Sequence, residues 1–347
     1  MTDELKWFTP KEAPFKLAGF AWFAKEQIYR RLPAKPASPL PQAVDSLANC
    51  TAGGQIRFQT DSKRVSVRVR LSGPANMCHM PSTGQCGFDC YIGPPRAQRY
   101  CGTAKYDHTQ LSYECTLFER ARTEMCNVTL NFPLYQGVEE VSVGLEPGSA
   151  VEPPLPFRGD GCVVAYGTSI TQGGCACRPG MAYTNILSRR LNIEFVNLGF
   201  SGSGRGEPEV ARTIAEVANP ACFILDYEAN AGGEVLFNTL PEFIRILRAA
   251  HRRVPILVVS RIAFAWDAYD EGALRDRIRR RDFQRETVED LRSKGDRQIF
   301  FHDGSEMLGA DFDECTVDGV HPTDLGFIRM ATALEPVVES ILRSIGV

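Results

Sequence analysis

The chain predicts two architectures in series, an antiparallel β-sandwich over residues 1–156 and a three-layer α/β/α domain built on a parallel sheet over residues 157–347. Three observations carry this reading. Short β-rich runs recur through the first part, compact apolar runs alternate with longer helical patterns through the second, and a proline-rich stretch separates the two.

In the first part the β-rich runs fall at 55–60, 65–71, 87–92, 113–117, 127–132 and 140–144, separated by clusters of Gly, Pro, Asn and Asp. The run Val65-Ser-Val-Arg-Val-Arg-Leu71 alternates apolar and polar residues, as a strand buried on one face requires. The aromatic residues Trp7, Phe20, Trp22 and Phe23 are expected in the core rather than on a sugar-stacking platform. Between 145 and 156 the chain reads Leu-Glu-Pro-Gly-Ser-Ala-Val-Glu-Pro-Pro-Leu-Pro, where neither strand nor helix can continue, and the boundary is placed near Pro156.

Beyond it strands are predicted at 162–166, 194–197, 222–227, 255–260 and 298–302. They alternate with helices at 181–191, 208–217, 233–252, 271–294 and 324–344. Such a series makes a parallel sheet covered on both faces. In the last helix Leu334, Val337, Val338, Ile341, Leu342 and Ile345 fall on one stripe.

Length and charge narrow the function. With 347 residues and 44% hydrophobic content there is apolar material for two cores, and 39 basic against 42 acidic residues leave a formal charge of −3. That balance supplies no field to attract nucleic acid or an anionic membrane, so a small or neutral substrate is expected. The start, Met-Thr-Asp-Glu-Leu-Lys-Trp, lacks the basic-then-apolar run of a secretory signal, and no apolar stretch approaches the ~20 residues of a membrane span; a cytoplasmic location is expected. The twelve cysteines are scattered, several within apolar strands, and most are expected to be buried free thiols.

The chemistry is expected just beyond the carboxyl ends of the parallel strands, where an open sheet collects its reactive groups. Ser169 follows the first strand in a glycine-flanked turn, Gly202 and its neighbours follow the second, Glu228-Ala-Asn230 follows the third, and His321 precedes the last helix. Taken singly, Ser169 reads as a turn or helix cap, and Asp318-Gly-Val-His321-Pro as a cap with Pro322 at the first helical position. Together they supply what an activated serine needs: a nucleophile, a base in His321, and a carboxylate in Asp318 to fix the imidazole.

Residue by residue these segments resemble the SGNH or GDSL hydrolase family across 161–347. Gly167-Thr168-Ser169-Ile170 stands for its Gly-Asp-Ser block, Gly202 for the glycine of its second block, Glu228-Ala-Asn230-Ala for Gly-X-Asn-Asp, and Asp318-Gly-Val-His321 for Asp-X-X-His. Thr168 replaces the usual aspartate, and the asparagine block lacks its first glycine and trailing Asp. Gly87-Phe-Asp-Cys-Tyr91 resembles the Gly-X-Asp-Leu-Tyr motif of the sandwich domain that precedes some of these hydrolases. The resemblance implies a flavodoxin-like parallel sheet after a jelly-roll-like sandwich. It also implies a serine esterase with Ser169, His321 and Asp318 as catalytic residues, and the Ser169 N–H, the Gly202 N–H and the Asn230 amide as oxyanion donors. No cofactor and no metal are expected. Relatives with this domain pair often act on acylated carbohydrates, so the implied substrate is a small-molecule or glycan acyl ester. An acyltransferase using the same triad and a non-catalytic carbohydrate-binding protein are the alternatives.

Other clusters are assigned structural roles. His302 has an adjacent Asp303, but neighbours in an extended chain point to opposite faces. His251 reads as a helix C-terminal cap. The arginine-dense run at 275–285, interleaved with acidic residues, reads as a solvated amphipathic helix. Cys78, His79, Cys86, Cys90 and Cys101 lack the paired Cys-X-X-Cys spacing of a structural zinc site. For the N-terminal domain, glycan binding, an oligomer contact and a wall of the active site all remain open.

Overall fold

Residue alternation sets the first domain. Along the strand Arg64–Leu71, Val65, Val67, Val69 and Leu71 are buried while Arg68 and Arg70 face solvent. This strand pairs antiparallel with Val138–Leu145 on one side and Ser112–Glu119 on the other, and Lys6–Phe8 closes the edge. A second sheet runs Val151–Glu152, Gln55–Thr60, Cys126–Asn131, Asp89–Ile92, Arg99–Thr103, with Lys16–Ala18 also on Gln55–Thr60. Ile56, Phe58, Val128 and Leu130 of this sheet and Val67, Val69 and Val143 of the first share one core. These positions come from a computed structural model that describes residues 4–347; Met1, Thr2 and Asp3, where the signal-peptide reading begins, lie outside the described residues. The strands at Lys6–Phe8, Lys16–Ala18, Arg99–Thr103 and Val151–Glu152 were not predicted, being too short or too exposed to show a period.

The second domain begins with β1 (Cys162–Gly167), which is buried along its whole length. It is followed by β2 (Glu194–Gly199), β3 (Pro220–Asp226), β4 (Ile256–Val259) and β5 (Ile299–His302), all parallel in the order β2-β1-β3-β4-β5. That order is the flavodoxin-like one, with its switch point between β1 and β3. Six helices matter here: α1 (Ser169–Gln172), α2 (Tyr183–Leu191), α3 (Pro208–Ile214), α4 (Val235–Ala250), α5 (Glu271–Ser293) and α6 (Asp324–Ser344). Val163 and Ala165 of β1 share a core with Leu187 of α2 and Phe327, Leu334, Val338 and Ile341 of α6. On the opposite face Val164 and Tyr166 pack with Val210 of α3, Phe243 of α4 and Val288 of α5. This alternation explains why the strand reads as a continuous apolar run.

The two domains share core. Leu32, Val44 and Ala48, early in the sequence, pack in the cluster formed by Val164, Leu198 and Phe200. Arg31 is fully buried between them: its guanidinium donates to the carbonyls of Leu47 and Cys50 on one side and Gly199 on the other, 4.8 Å over the Phe200 ring. Burial lowers its pKa to about 10. Among the described residues no helix is long and apolar enough to cross a membrane.

Candidate active site

Ser169 occupies the first position of α1, a single turn that β1 feeds directly. Gly167 makes this turn possible, because a Cβ there would lie 2.4 Å from the Asp226 carbonyl and 2.0 Å from Thr171 Oγ1. Thr168 caps the turn, its Oγ1 accepting from the Ile170 N–H at 3.2 Å. The threonine that stands in the aspartate position thus fastens the Ser169 turn locally.

His321 arrives from the loop before α6. Thr316 and Pro322 form a β-bridge, Val317 N–H donates to the His321 carbonyl at 2.8 Å, and Gly319, at φ +87°, lets the chain reverse between Asp318 and His321. Ser169 Oγ lies 2.9 Å from His321 Nε2, and His321 Nδ1 lies 2.7 Å from Asp318 Oδ2. A carboxylate only accepts, so the proton sits on Nδ1 and the Nε2 lone pair faces the serine. Burial alone would raise the Asp318 pKa. The backbone N–H and imidazole of His321 and the Val320 N–H outweigh it and hold the carboxyl below its usual value.

The second and third loops meet beside Ser169. Gly202 has φ +65° and a Cβ there would meet open space, so the glycine is required by backbone conformation and leaves its side facing the site clear. Asn230, at the end of a 3₁₀ turn, directs its side-chain amide at the carbonyls of Ser203 and Phe200, tying its loop to that of Gly202. Hydrogen bonds thus join Ser169, His321 and Asp318, while Gly202 and Asn230 lie on neighbouring loops tied to each other.

Residues 160–339 match the family model described as GDSL-like lipase/acylhydrolase, and residues 5–151 match that of the N-terminus of SGNH-hydrolase-type esterases. The chain belongs to the GDSL-like lipase/acylhydrolase family. A GDSL-like lipase from Bacteroides ovatus is 30% identical, with 98% of each chain covered and a TM-score of 0.89. The fold is shared with a salicylyl-acyltransferase from a tetracycline biosynthetic pathway, at 19% identity, covering 99% of this chain and 98% of that one, TM-score 0.77. It is also shared with a family two carbohydrate esterase from Clostridium thermocellum in complex with cellohexaose, at 14% identity, covering 84% and 93%, TM-score 0.58. A search of curated proteins finds no match. Family membership makes this protein an ester-bond hydrolase.

In this GDSL-like enzyme the departure at Glu228 has a structural reason. Its buried carboxylate accepts from the Arg261 N–H at 2.8 Å and from Gln284 of α5 at 2.7 Å, with the guanidiniums of Arg261 and Arg280 3.8 and 3.9 Å away. Arg261 in turn is bidentate to Asp267 at 2.8 and 2.9 Å. The 275–285 run is thus only partly the solvated face predicted for it: Arg275 is exposed, but Arg280 is buried and clamps the loop that carries Asn230.

Neither competing histidine enters the site. Burial lowers the His302 pKa, while Asp303 turns away to Arg281 and Arg285. His251 Nε2 contacts the Ala215 carbonyl at 2.8 Å and caps α4. The Cys78, His79, Cys86, Cys90, Cys101 set does not converge among the described residues; of these, Cys78 and His79 line the cleft near His321, the His79 ring 5.8 Å from that of His321.

Several residues around the site were not foreseen. Asp226, at the carboxyl end of β3, is buried and accepts from Tyr183 at 2.8 Å and Thr171 at 3.1 Å. Burial raises its pKa to about 7, against the pull of those two hydrogen bonds. A carboxylate ending an apolar strand was the available signal. Tyr135 and His79 come from sandwich loops with no periodic pattern to place them. A cleft of about 540 Å³ is lined by Cys78, His79, Met80, Cys175, Val317 and Leu325.

Proposed function

We propose that this enzyme hydrolyses small acyl esters, acetyl esters first, carried on a carbohydrate, through a serine nucleophile. The observation that carries the reading is the continuous relay Ser169–His321–Asp318, with contacts of 2.9 and 2.7 Å and the imidazole tautomer fixed by the carboxylate. His321 takes the Ser169 proton as Oγ attacks the ester carbonyl, and Asp318 stabilises the imidazolium. The negative charge on the former carbonyl oxygen is met by the N–H groups of Ser169 and Gly202 and by the Asn230 amide, which exchanges a loop carbonyl for the oxyanion. His321 then protonates the departing alcohol, and water resolves the acyl-enzyme. The likeness in fold to carbohydrate esterases supports a glycan as the alcohol.

An aryl-acetate assay on wild type and Ser169→Ala, with organophosphate labelling of the serine, tests the chemistry. Equal inactivity of both, with no labelling, overturns it. A second reading is acyl transfer, favoured by the likeness of the whole chain to a salicylyl-acyltransferase. Product analysis with and without sugar acceptors separates the two, and dominant transfer at low acceptor concentration would displace hydrolysis.

A further inference from the structure

We propose that His79, Cys175 and His321 form a site for a zinc-like divalent cation, and that a metal bound there silences the enzyme by occupying its general base. The three side chains come from three separate segments: a loop of the N-terminal sandwich, the turn after α1, and the loop before α6. Their ligand atoms lie within 4.8 Å of one another, and among the described residues no other group of three such side chains gathers this closely. Two imidazoles and a thiol are the donor types that zinc selects over magnesium or calcium.

The geometry is close to that of a bound ion. Zn–N bonds of about 2.0–2.1 Å and a Zn–S bond of about 2.3 Å place tetrahedral ligands roughly 3.3–3.8 Å apart. The arms must therefore converge by about an ångström, and the exposed His79 can make that movement. An outer partner is already built: Asp318 holds His321 Nδ1–H at 2.7 Å, the carboxylate–histidine arrangement that orients an imidazole toward zinc. Access is open as well, because His79 and Cys175 line the cleft of about 540 Å³.

Binding and catalysis compete for one lone pair. His321 Nε2 can accept the Ser169 proton or coordinate the metal, and it cannot do both. On binding, the Cys175 thiol releases its proton to solvent, the thiolate and two imidazole nitrogens bond to the ion, and Ser169 Oγ–H loses its acceptor. A water or a substrate oxygen completes the fourth position.

The inhibition rests on the catalytic role given to His321; the binding does not. Calorimetric titration of the full chain with zinc chloride, and cobalt(II) binding followed by its thiolate absorption, read the site without an activity assay. One equivalent is expected. His79→Ala and Cys175→Ser should each weaken binding at least about tenfold, since even the outer partners of metal ligands are worth that much, and Cys175→Ser should abolish the cobalt–thiolate band. Zinc should slow both aryl-acetate hydrolysis and organophosphate labelling of Ser169, each referred to the same variant's zinc-free rate, and should need at least tenfold more metal in His79→Ala. Because His79 is exposed, that variant tests the site even if Cys175→Ser fails to fold. No binding, or binding that neither substitution weakens, overturns the proposal while leaving the esterase intact. A cobalt–thiolate band in a protein with no esterase activity and no labelling would sink the catalytic reading and keep the site.

Discussion

Tyr135, from the N-terminal sandwich, donates its hydroxyl hydrogen to the backbone carbonyl of Ser169 at 3.3 Å, and Gln172, three residues beyond the serine, donates to the Leu134 carbonyl at 3.0 Å. The sandwich therefore braces the Ser169 turn of the other domain. Tyr135→Phe removes one such brace without opening a cavity. A net hydrogen bond is worth about 0.5–1.5 kcal/mol, so kcat for aryl acetate should fall between about twofold and tenfold while KM stays near its wild-type value. An unchanged kcat would show that the turn holds itself.

The proposed mechanism predicts larger effects at Asp318 and Asn230. Asp318→Asn should reduce kcat by about 10⁴-fold with the fold intact, because the amide no longer fixes the imidazole tautomer. Asn230→Ala should cost about 10²–10³-fold in kcat if the amide meets the oxyanion. A loss of only a few-fold at Asn230 would leave it the role of tying its loop to Ser203. Steady-state kinetics with circular dichroism on both variants decide this.

Asp226 predicts how stability changes with pH. Its folded pKa is about 7, above its ordinary value of 3.8, so between these values the folded state holds a proton that the unfolded state has released. Its contribution is intact below about pH 4 and is lost as pH rises through 7. Asp226→Asn removes this loss, so the variant should gain on wild type by about 1–4 kcal/mol between pH 4 and pH 8. Urea midpoints at the two pH values measure it, and parallel pH profiles for the two proteins would contradict it.

Glu228 is the only carboxylate facing both Arg261 and Arg280 at less than 4 Å among the described residues, though Arg261 also pairs with Asp267 and Arg280 with Asp276. Removing one member of a buried pair leaves the other charge uncompensated, at about 3–5 kcal/mol. The two guanidiniums stand beyond hydrogen-bonding distance and keep other partners, so Glu228→Ala should fall near the lower end, about 3 kcal/mol. It should also lower kcat, because the Asn230 loop loses its anchor. Denaturant unfolding and aryl-acetate kinetics check the two effects separately.

The helical and parallel-strand pattern of the second domain was legible because each element repeats its burial in sequence: β1 is apolar throughout, and the α6 stripe of Leu334, Val338, Ile341 and Leu342 lies against the sheet as its period requires. The Asp318–His321 contact was legible too, since a spacing of three within one loop brings the side chains together. The meeting of Ser169 with His321 depends on two strand ends converging, and only the order of motifs along the chain suggested it. The clamp between Glu228 and Arg280 was not legible. Arginines interleaved with acids look solvated in any window of sequence, and only the packing of α5 over the third loop buries one of them. His79 and Tyr135 were hidden for a similar reason, as loop positions fixed by the docking of one domain on the other.

The burial of Arg31 and of Leu32, Val44 and Ala48 against the strands around Phe200 limits how freely the two halves can be exchanged. A chain joined at a proline-rich crossing looks like two modules that recombination could shuffle. Here the second module lacks part of its own interior, which the first supplies from more than a hundred positions upstream. Exchange of either half for a foreign one would take the Gly199 carbonyl from Arg31 and Leu32, Val44 and Ala48 from the cluster around Phe200, so a swapped chain has to rebuild this seam before it can fold.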